Sequence, residues 1–218
     1  SPGSSYFYCP EALRPEIYDS PKKWSAENMA VNRFVTISQA GVLKGNEIIL
    51  KAAKILKDEF KVEFEWVVAG NPAGILMAER KTGIQHEKYN VKLLGMIPAE
   101  RVTDELAQST FYIHPAIIDN SPNSLCEAQI VGCPVIAANV GGISSLVNDG
   151  KTGVLYPYNE PHMLVFKIME LLSDKDQINY ISENEKLVAK ERHDPEKLYE
   201  FLHDIYVKLY EEGKRSGR

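Results

Sequence analysis

Short apolar segments alternate along this chain with segments of helical period, and this alternation limits the possible folds more than any other feature. The apolar segment FVTIS (34–38) precedes KGNEIILKAAKILKDEF, whose predicted apolar helix face consists of Ile48, Ile49, Ala52, Ile55 and Leu56. Further strands are predicted at VEFEWVVAG, VKLLG, TFYIHP, PVIAAN and TGVLYP. Strands that are apolar on both faces are typical of parallel sheets covered by helices on each side. The sequence therefore predicts an α/β fold with a parallel sheet of about six strands flanked by helices.

The length favours one domain with an extension at its N-terminal side. The 218 residues suit a single core, since domains commonly contain about 100 to 200 residues. Residues 1–32, rich in Pro and aromatic residues, are interpreted as a connecting arm, and residues 33–218 as a single Rossmann-like domain that ends in helices. One stripe of the last helix is expected to pack on a core, and it consists of Leu198, Phe201, Leu202, Ile205, Tyr206 and Leu209.

Charge and cysteine content argue against several classes of function. A net charge of −5 gives no broad basic field, so nucleic acid is not expected as a partner. Cys9, Cys126 and Cys133 form neither a CxxC pair nor an even set, which favours a reducing, cytoplasmic location and argues against zinc. No apolar run reaches the roughly 18 residues that span a bilayer. The N-terminus also lacks the pattern of a secretion signal.

The loop after the first predicted strand, SQAGVLKG (38–45), has the composition of a phosphate site. Lys44 and Gly45 stand directly before a predicted helix, where free amides and the helix dipole favour an anion. The loop matches neither the P-loop pattern GxxxxGK[ST] nor the dinucleotide-binding pattern GxGxxG, so the usual ATPase and dehydrogenase signatures are absent. A solvated lysine beside a helix-starting glycine is the alternative interpretation.

A second candidate phosphate site follows the predicted strand TFYIHP. Pro122 stiffens the turn there, and the next helix begins with free amides. The polar side chains that can bind a ligand in this turn are Asn120, Ser121, Asn123 and Ser124. His114, at the end of the strand, is expected to point toward the mouth of the crevice, with a packing role as the alternative.

Two carboxylates flank this turn, and the residues alone leave their role open. Glu127 lies about one turn into the helix, where a carboxylate can accept two hydrogen bonds from a ribose diol. Asp119 stands before the turn. The two acids form an acid/base pair, a clamp on a sugar and a ribose, or the polar edge of a loop beside a buried helix.

The run DNSPNSLCEAQIVGCPVIAANVGGISSLVNDGKTGVLYP resembles the donor-binding signature of family 4 glycosyltransferases of the GT-B fold. The hallmark of that signature is two acids separated by seven residues, as Asp119 and Glu127 are. SQAGVLKG resembles the family's GRxxxxKG loop, VVAGN its second strand and turn, and VKLLGMIPAERV its base-side loop, so that the resemblance covers residues 33–172. YCPEALRPEIY, with Trp24, resembles the interdomain segment of capsule and surface-polysaccharide members.

The resemblance implies a site for a nucleotide-sugar, UDP- or GDP-linked, without a metal or other cofactor. Asp119 would face the donor sugar, Glu127 would hold the ribose, and Lys44 would act with the Ser124 and Leu125 amides on the diphosphate; these three side chains are the catalytic candidates. The expected binding residues are Gln39, Gly41, Lys44, Met96, Asn120, Ser121, Asn123, Ser124, Leu125 and Glu127. The resemblance thus favours the clamp.

Three positions depart from the family pattern. Asp119 is one methylene shorter than the usual Glu, which affects its reach to the sugar. Gln39 stands where the family usually has Arg, so a bidentate cation is absent from that loop. Ser145 stands at the Glu position of the family's GGIPE pattern.

The resemblance further implies the C-terminal, donor-binding half of a bacterial GT-B enzyme, an interpretation that the absence of an initial Met supports. The whole enzyme would transfer a sugar with retention to a glycan or lipid-linked acceptor, in surface polysaccharide synthesis, with the acceptor held by an N-terminal domain. Peripheral association with the inner face of the membrane is expected of the full-length protein. The alternatives are a non-catalytic nucleotide-sugar-binding module and a nucleotide-sugar epimerase-like or phosphorylase-like enzyme.

Overall fold

A computed structural model describes residues 6–28 and 32–215, and its strands form one sheet. The strands are β1 (Asn32–Ser38), β2 (Phe64–Gly70), β3 (Val91–Gly95), β4 (Phe111–His114), β5 (Val135–Ala138) and β6 (Val154–Tyr156). Their order is β3-β2-β1-β4-β5-β6, and every neighbouring pair is parallel. The expected α/β fold class is therefore confirmed.

Helices cover both faces of this sheet. The helices of the described residues are α1 (Pro15–Tyr18), α2 (Asn46–Asp58), α3 (Ala73–Thr82), α4 (Ala99–Gln108), α5 (Asn123–Val131), α6 (Ile143–Leu146), α7 (Pro161–Leu172), α8 (Lys175–Arg192) and α9 (Pro195–Arg215). None of the helices in the described ranges is long and apolar enough to cross a membrane.

The core lies between the central strands and the helices that follow them. Phe34 of β1 stacks on Phe64 and Phe111 of the neighbouring strands, with ring centroids 5.8 and 5.9 Å away. Trp66 and Tyr112 are also fully buried. Burying one large apolar side chain contributes about 1.5 to 3 kcal/mol, so a sheet that is apolar on both faces is stable only when helices cover both.

The strand order reverses beside β1. After β1, β2 and β3 the chain crosses back and places β4 on the other side of β1, with Phe34 opposite Phe111. A crevice lies at the carboxyl ends of these two strands. Ligands bind at such a switch point in open parallel sheets.

The described part of the arm packs on the domain. Ile17 and Trp24 are buried in the same core as the sheet, and α1 lies against α4 and α5. The Trp24 Nε1–H donates to the Ser109 carbonyl over 2.7 Å, and its amide donates to the Val131 carbonyl over 3.0 Å. The interpretation of residues 1–32 as an arm between two domains stays a prediction, and residues 1–5 and 29–31 lie outside the described residues.

The stripe of α9 that was expected to pack on a core is mostly exposed, so this prediction is wrong for the described structure. Leu198, in the first turn of the helix, is buried. Beyond that turn the helix leaves the domain, and Leu209 is 51 % exposed. The helical period was read correctly, but the stripe lacks a partner among the described residues because α9 extends past the sheet and its covering helices.

Candidate functional site

The crevice between β1, β4 and the start of α5 has a volume of about 510 Å³. Four segments line it: the middle of the arm, the end of β1 with the loop after it, the end of β4 with the loop after it, and the first turns of α5. The predicted site residues among its lining are Gln39, Lys44, Asp119, Ser121, Asn123, Ser124 and Glu127. These predicted site residues meet in one cavity although Gln39 and Glu127 lie 88 positions apart in the sequence.

Gly45 allows the loop after β1 to lie directly against the loop after β4. Its φ of +71° is left-handed, and a Cβ at this position would lie 1.8 Å from the Pro115 carbonyl oxygen. Next to it the Ile117 amide donates to the Leu43 carbonyl over 2.8 Å. This close approach brings Lys44 of one loop to Asp119 of the other.

Asp119 is held by two basic side chains. Lys44 Nζ donates to Asp119 Oδ2 over 2.9 Å, and His114 Nε2 lies 3.4 Å from the same oxygen. His114 and Lys44 lower the pKa of Asp119 to about 2, although partial burial acts in the opposite direction. Asp119 is therefore ionised at neutral pH and has no proton to donate.

His114 connects this acid to the helix that closes the crevice. The Tyr112 hydroxyl lies 3.2 Å from His114 Nδ1 and donates to Ser124 Oγ over 2.8 Å. Because Ser124 Oγ accepts this bond, its own hydrogen can point to a ligand. His114 lines the crevice, as expected, and is itself buried.

Two glycines after β5 fix the backbone of Asp119 and Asn120. A Cβ at Gly141 would lie 2.1 Å from the Asp119 carbonyl oxygen, and one at Gly142 would lie 2.2 Å from that of Asn120. The Gly142 amide also donates to the Asp119 carbonyl over 3.1 Å. Side chains at these positions would push the turn away from the crevice.

The first turn of α5 offers fewer free amides than the sequence suggested. The amides of Leu125 and Cys126 both donate to the Pro122 carbonyl, over 3.0 and 3.3 Å. Asn123 and Ser124, the other residues of this turn, line the crevice. The diphosphate role expected of the Leu125 amide is thus not available in this structure.

Glu127 is paired with an arginine of the arm. Arg14 Nε donates to Glu127 Oε1 over 2.8 Å, and Arg14 Nη2 donates to Oε2 over 2.9 Å. The Glu127 side chain is 4 % exposed and that of Arg14 is 46 % exposed. Each oxygen of the acid expected to hold ribose therefore already accepts one hydrogen bond.

Four of the expected binding residues lie away from the crevice lining. Met96 is exposed after β3, Gly41 lines a separate cavity of about 400 Å³ between α2 and α3, and Asn120 faces Gly141. The Leu125 side chain is fully buried in the core. The structure thus brings the acids, Lys44 and the serines together, and leaves a base-side contact at Met96 as a prediction.

The geometry separates the three interpretations of the acids. An acid/base pair needs one carboxyl group that keeps its proton, whereas Asp119 and Glu127 each face a basic partner. A solvated loop edge is excluded for Glu127 by its burial. A clamp on a ligand stays a prediction for both acids. Among the described residues, no three His, Cys, Asp or Glu side chains form a group that could hold a metal ion.

Arg14 is the site residue that sequence reasoning missed. It precedes Pro15 in the arm, 113 positions from Glu127, and no local pattern indicates that the two meet. Tyr112 was missed for a related reason, since it read as one of several apolar strand residues. Its hydroxyl partner Ser124 lies on the next helix.

Comparison with known families gives a match to the family described as glycosyl transferases group 1, over residues 21–188. A D-inositol 3-phosphate glycosyltransferase of Corynebacterium diphtheriae is 30 % identical over 139 residues, which are 60 % of this chain and 32 % of that protein. The amylovoran biosynthesis glycosyltransferase AmsK of Erwinia amylovora is 27 % identical over 147 residues, which are 64 % of this chain and 35 % of that protein. The chain thus spans about a third of the length of these relatives.

Solved structures share the fold at low sequence identity. Anabaena HepE in complex with UDP-glucose is 18 % identical with a TM-score of 0.73, covering 90 % of this chain and 56 % of HepE. The C-terminal domain of LpcC, a glycosyl transferase group 1 family protein of Francisella tularensis, is 18 % identical with a TM-score of 0.60, covering 83 % of this chain and 92 % of that domain. At this identity the likeness concerns the fold alone.

Proposed function

The chain belongs to the group 1 glycosyl transferases, and on that premise we propose that its crevice is the donor site of such an enzyme, binding a nucleoside diphosphate sugar. The observation that carries the proposal is the meeting of Lys44, the first turn of α5 and two ionic carboxylates at the switch point of the sheet. A cation and free helix amides suit a diphosphate, and carboxylates suit hydroxyl groups.

Each part of the donor has a proposed partner. The diphosphate lies against Lys44, the Ser124 hydroxyl and the Asn123 and Ser124 amides. The ribose hydroxyls donate to Glu127 once Arg14 has left it. Asp119, ionised and anchored by Lys44 and His114, faces the donor sugar. Positive potential arranged in advance around the diphosphate would stabilise the leaving group during transfer, without a metal.

The activity of the whole protein is a wider proposal. We propose sugar transfer with retention to a glycan or lipid-linked acceptor, with the acceptor contacts supplied by a second domain. The amylovoran biosynthesis role in the name of AmsK supports a surface polysaccharide product. The UDP-glucose bound to HepE supports UDP as the carrier nucleotide.

Calorimetric titration of the chain with UDP, GDP and ADP, and with their glucose conjugates, tests the donor site. One nucleoside diphosphate should bind, and the attached sugar should add affinity through Asp119. Absence of binding by all three diphosphates would refute the proposal. A matched Lys44→Gln variant should bind the preferred diphosphate more weakly, by about tenfold, because one charge-assisted hydrogen bond is lost.

A non-catalytic binding module is the second candidate function. Ser145 favours it, because its hydroxyl donates to the Gly142 carbonyl within its own loop, over 2.7 Å, where the family pattern has a carboxylate. The full-length protein distinguishes the two candidates. Sugar transfer to an acceptor would support the enzyme, whereas tight donor binding without transfer or hydrolysis would support the module.

A further inference from the structure

The arm supplies the donor crevice with a cation that can change partners. Arg14 and Glu127 lie in the same cavity as Lys44 and Ser124, and the guanidinium holds the carboxylate through two parallel N–H donors. Of the two partners, Arg14 is the exposed one, and Glu127 is enclosed by the helix and the core. The arginine side chain is therefore free to rotate away, whereas the glutamate side chain is not.

A ribose bound at Glu127 would favour that rotation. If a ribose donates its hydroxyls to Glu127, it competes with Arg14 for the same two oxygens. A guanidinium released into the crevice would lose a charged partner and would need another. The incoming ligand itself brings an anion to the same cavity.

The charges that line the crevice indicate where the released guanidinium goes. The described cationic side chains of the lining are Arg14 and Lys44, the acids are Asp119 and Glu127, and Gln39 is neutral. With each cation paired to one acid, the lining offers a diphosphate little net positive charge. A planar guanidinium binds phosphate oxygens through the same fork of donors that it uses on a carboxylate.

We propose that Arg14 is a diphosphate-binding residue of the donor site, which rests on Glu127 until the ribose takes over that carboxylate. Arg14 then turns to the diphosphate and acts as its second cation beside Lys44. This inference rests on the proposed donor-binding function, and it adds a residue from the arm to a site otherwise built by the sheet domain.

The arm remains docked during this exchange. Ile17 and Trp24 are buried, and the two hydrogen bonds of Trp24 to Ser109 and Val131 involve neither Arg14 nor the crevice. The exchange thus needs rotation of one side chain and leaves the fold of the arm unchanged.

Arg14→Gln tests the assignment by titration with inorganic pyrophosphate, uridine, and UDP, GDP and ADP. Pyrophosphate and the preferred diphosphate should bind about tenfold more weakly, because a charge-assisted contact is lost. Uridine should bind equally or more tightly, because Glu127 no longer has a competing partner. Arg14→Lys, which keeps the charge and loses the fork, should fall between the parent and Arg14→Gln for pyrophosphate.

Arg101→Gln is the matched control. Arg101 is also an exposed arginine paired with a buried acid, Glu105, over 2.7 Å, but it lies outside the crevice lining. Its substitution should leave all five affinities unchanged. If Arg14→Gln does not fold because Glu127 is left unpaired, a double variant with Arg14→Gln and Glu127→Gln replaces it. Its pyrophosphate affinity is then compared with that of Glu127→Gln alone.

The possible outcomes separate this inference from the proposed function. If the parent chain binds none of the diphosphates, the donor site and the role of Arg14 are both overturned. If the parent binds one of them and Arg14→Gln binds pyrophosphate as tightly as the parent, the role of Arg14 alone is overturned. If Arg14→Gln binds every ligand more tightly than the parent, Arg14 only competes with ligands for Glu127. This result would also overturn its assignment as a diphosphate-binding residue.

Discussion

At the scale of single residues, Asp119 and Glu127 have similar chemistry but different surroundings. Asp119 is partly open to the crevice and is shared by Lys44 and His114. Glu127 is enclosed, and a single arginine takes both of its oxygens. We therefore expect Asp119 to act on the donor sugar, and Glu127 to act on a ligand that can share or displace its bonds to Arg14.

Glu127→Gln should weaken nucleoside diphosphate binding relative to pyrophosphate binding by about tenfold to a hundredfold, since charge-assisted bonds to the ribose are worth about 1.5 to 3 kcal/mol. Asp119→Asn should leave the ratio of diphosphate affinity to pyrophosphate affinity unchanged, and should reduce the added affinity that the attached sugar gives. Titration of both variants with pyrophosphate, the preferred diphosphate and its glucose conjugate measures the two effects. A ratio lowered by Asp119→Asn instead would reverse the assignment of the acids.

Glu185 of α8 shows a different use of a carboxyl group. It is fully buried, and its Oε2 accepts a hydrogen bond from the Val135 amide over 3.3 Å. Burial raises its pKa well above the ordinary value of 4.5. The folded state therefore binds this proton more tightly than the unfolded state.

The free energy of unfolding of the parent should fall as pH rises from 5 to 8, relative to that of Glu185→Gln. A raised folded pKa contributes stability fully below about pH 4.5, and this contribution is lost as pH rises toward the folded value. Urea unfolding across this pH range measures the difference. Glu183→Gln, an exposed change on the same helix, is the control, and parallel pH curves for parent and Glu185→Gln would contradict the prediction.

At the scale of elements, the site depends on how closely two loops approach. Gly45 and Gly83 both have a φ of +71°, but only Gly45 would carry a Cβ into another segment, the Pro115 carbonyl. Alanine substitutions at these two glycines therefore separate two free-energy costs. One is the cost of a left-handed backbone, and the other is the cost of a Cβ that blocks a contact between loops.

Gly83→Ala should lower the free energy of unfolding by about 1 to 2 kcal/mol, the cost of a left-handed alanine. Gly45→Ala should lower it by that amount and by about 1 to 3 kcal/mol more, because the loops after β1 and β4 must separate. Denaturant unfolding of both variants gives the values. Equal losses would show that the approach of the two loops is not tight.

Helix α9 has the apolar stripe of a packed helix without a partner in the described structure. Leu209→Ala should therefore change the free energy of unfolding of this chain by less than about 0.5 kcal/mol. Leu164→Ala in α7, the same change at a fully buried position, should cost about 2 to 5 kcal/mol. A comparable loss for Leu209→Ala would mean that the stripe packs against something in solution.

At the scale of the whole molecule, the charge of −5 is compatible with anion binding because the crevice carries its own cations and helix amides. Both acids of the crevice are paired with basic side chains. In the proposed donor site, a diphosphate would be bound by cationic side chains and helix amides of the protein.

The affinity for the preferred nucleoside diphosphate should therefore be the same in excess EDTA as in millimolar Mg²⁺. Lys44, the α5 amides and, as proposed, Arg14 supply the positive charge that a metal would otherwise provide. Calorimetry in the two buffers measures the difference. A strict requirement for Mg²⁺ or Mn²⁺ would contradict this prediction.

The sequence by itself determined the class of the fold and the segments that carry the chemistry. Buried strands and helices have local signatures, since apolar runs and the helical period depend on neighbours in the chain. The bounds of β4 and α2 agree with those signatures. Lys44, Asp119 and Glu127 could be selected because loops after parallel strands share one edge of the sheet.

Only the tertiary structure decided which distant groups meet. The pairing of Arg14 with Glu127, the fit of Gly142 against Asn120 and the exposure of α9 all depend on the path of the chain through space. A buried carboxylate needs a charged partner, but its own sequence does not specify which arginine arrives. An apolar stripe likewise predicts a buried face, and the packing of whole elements decides whether anything covers it.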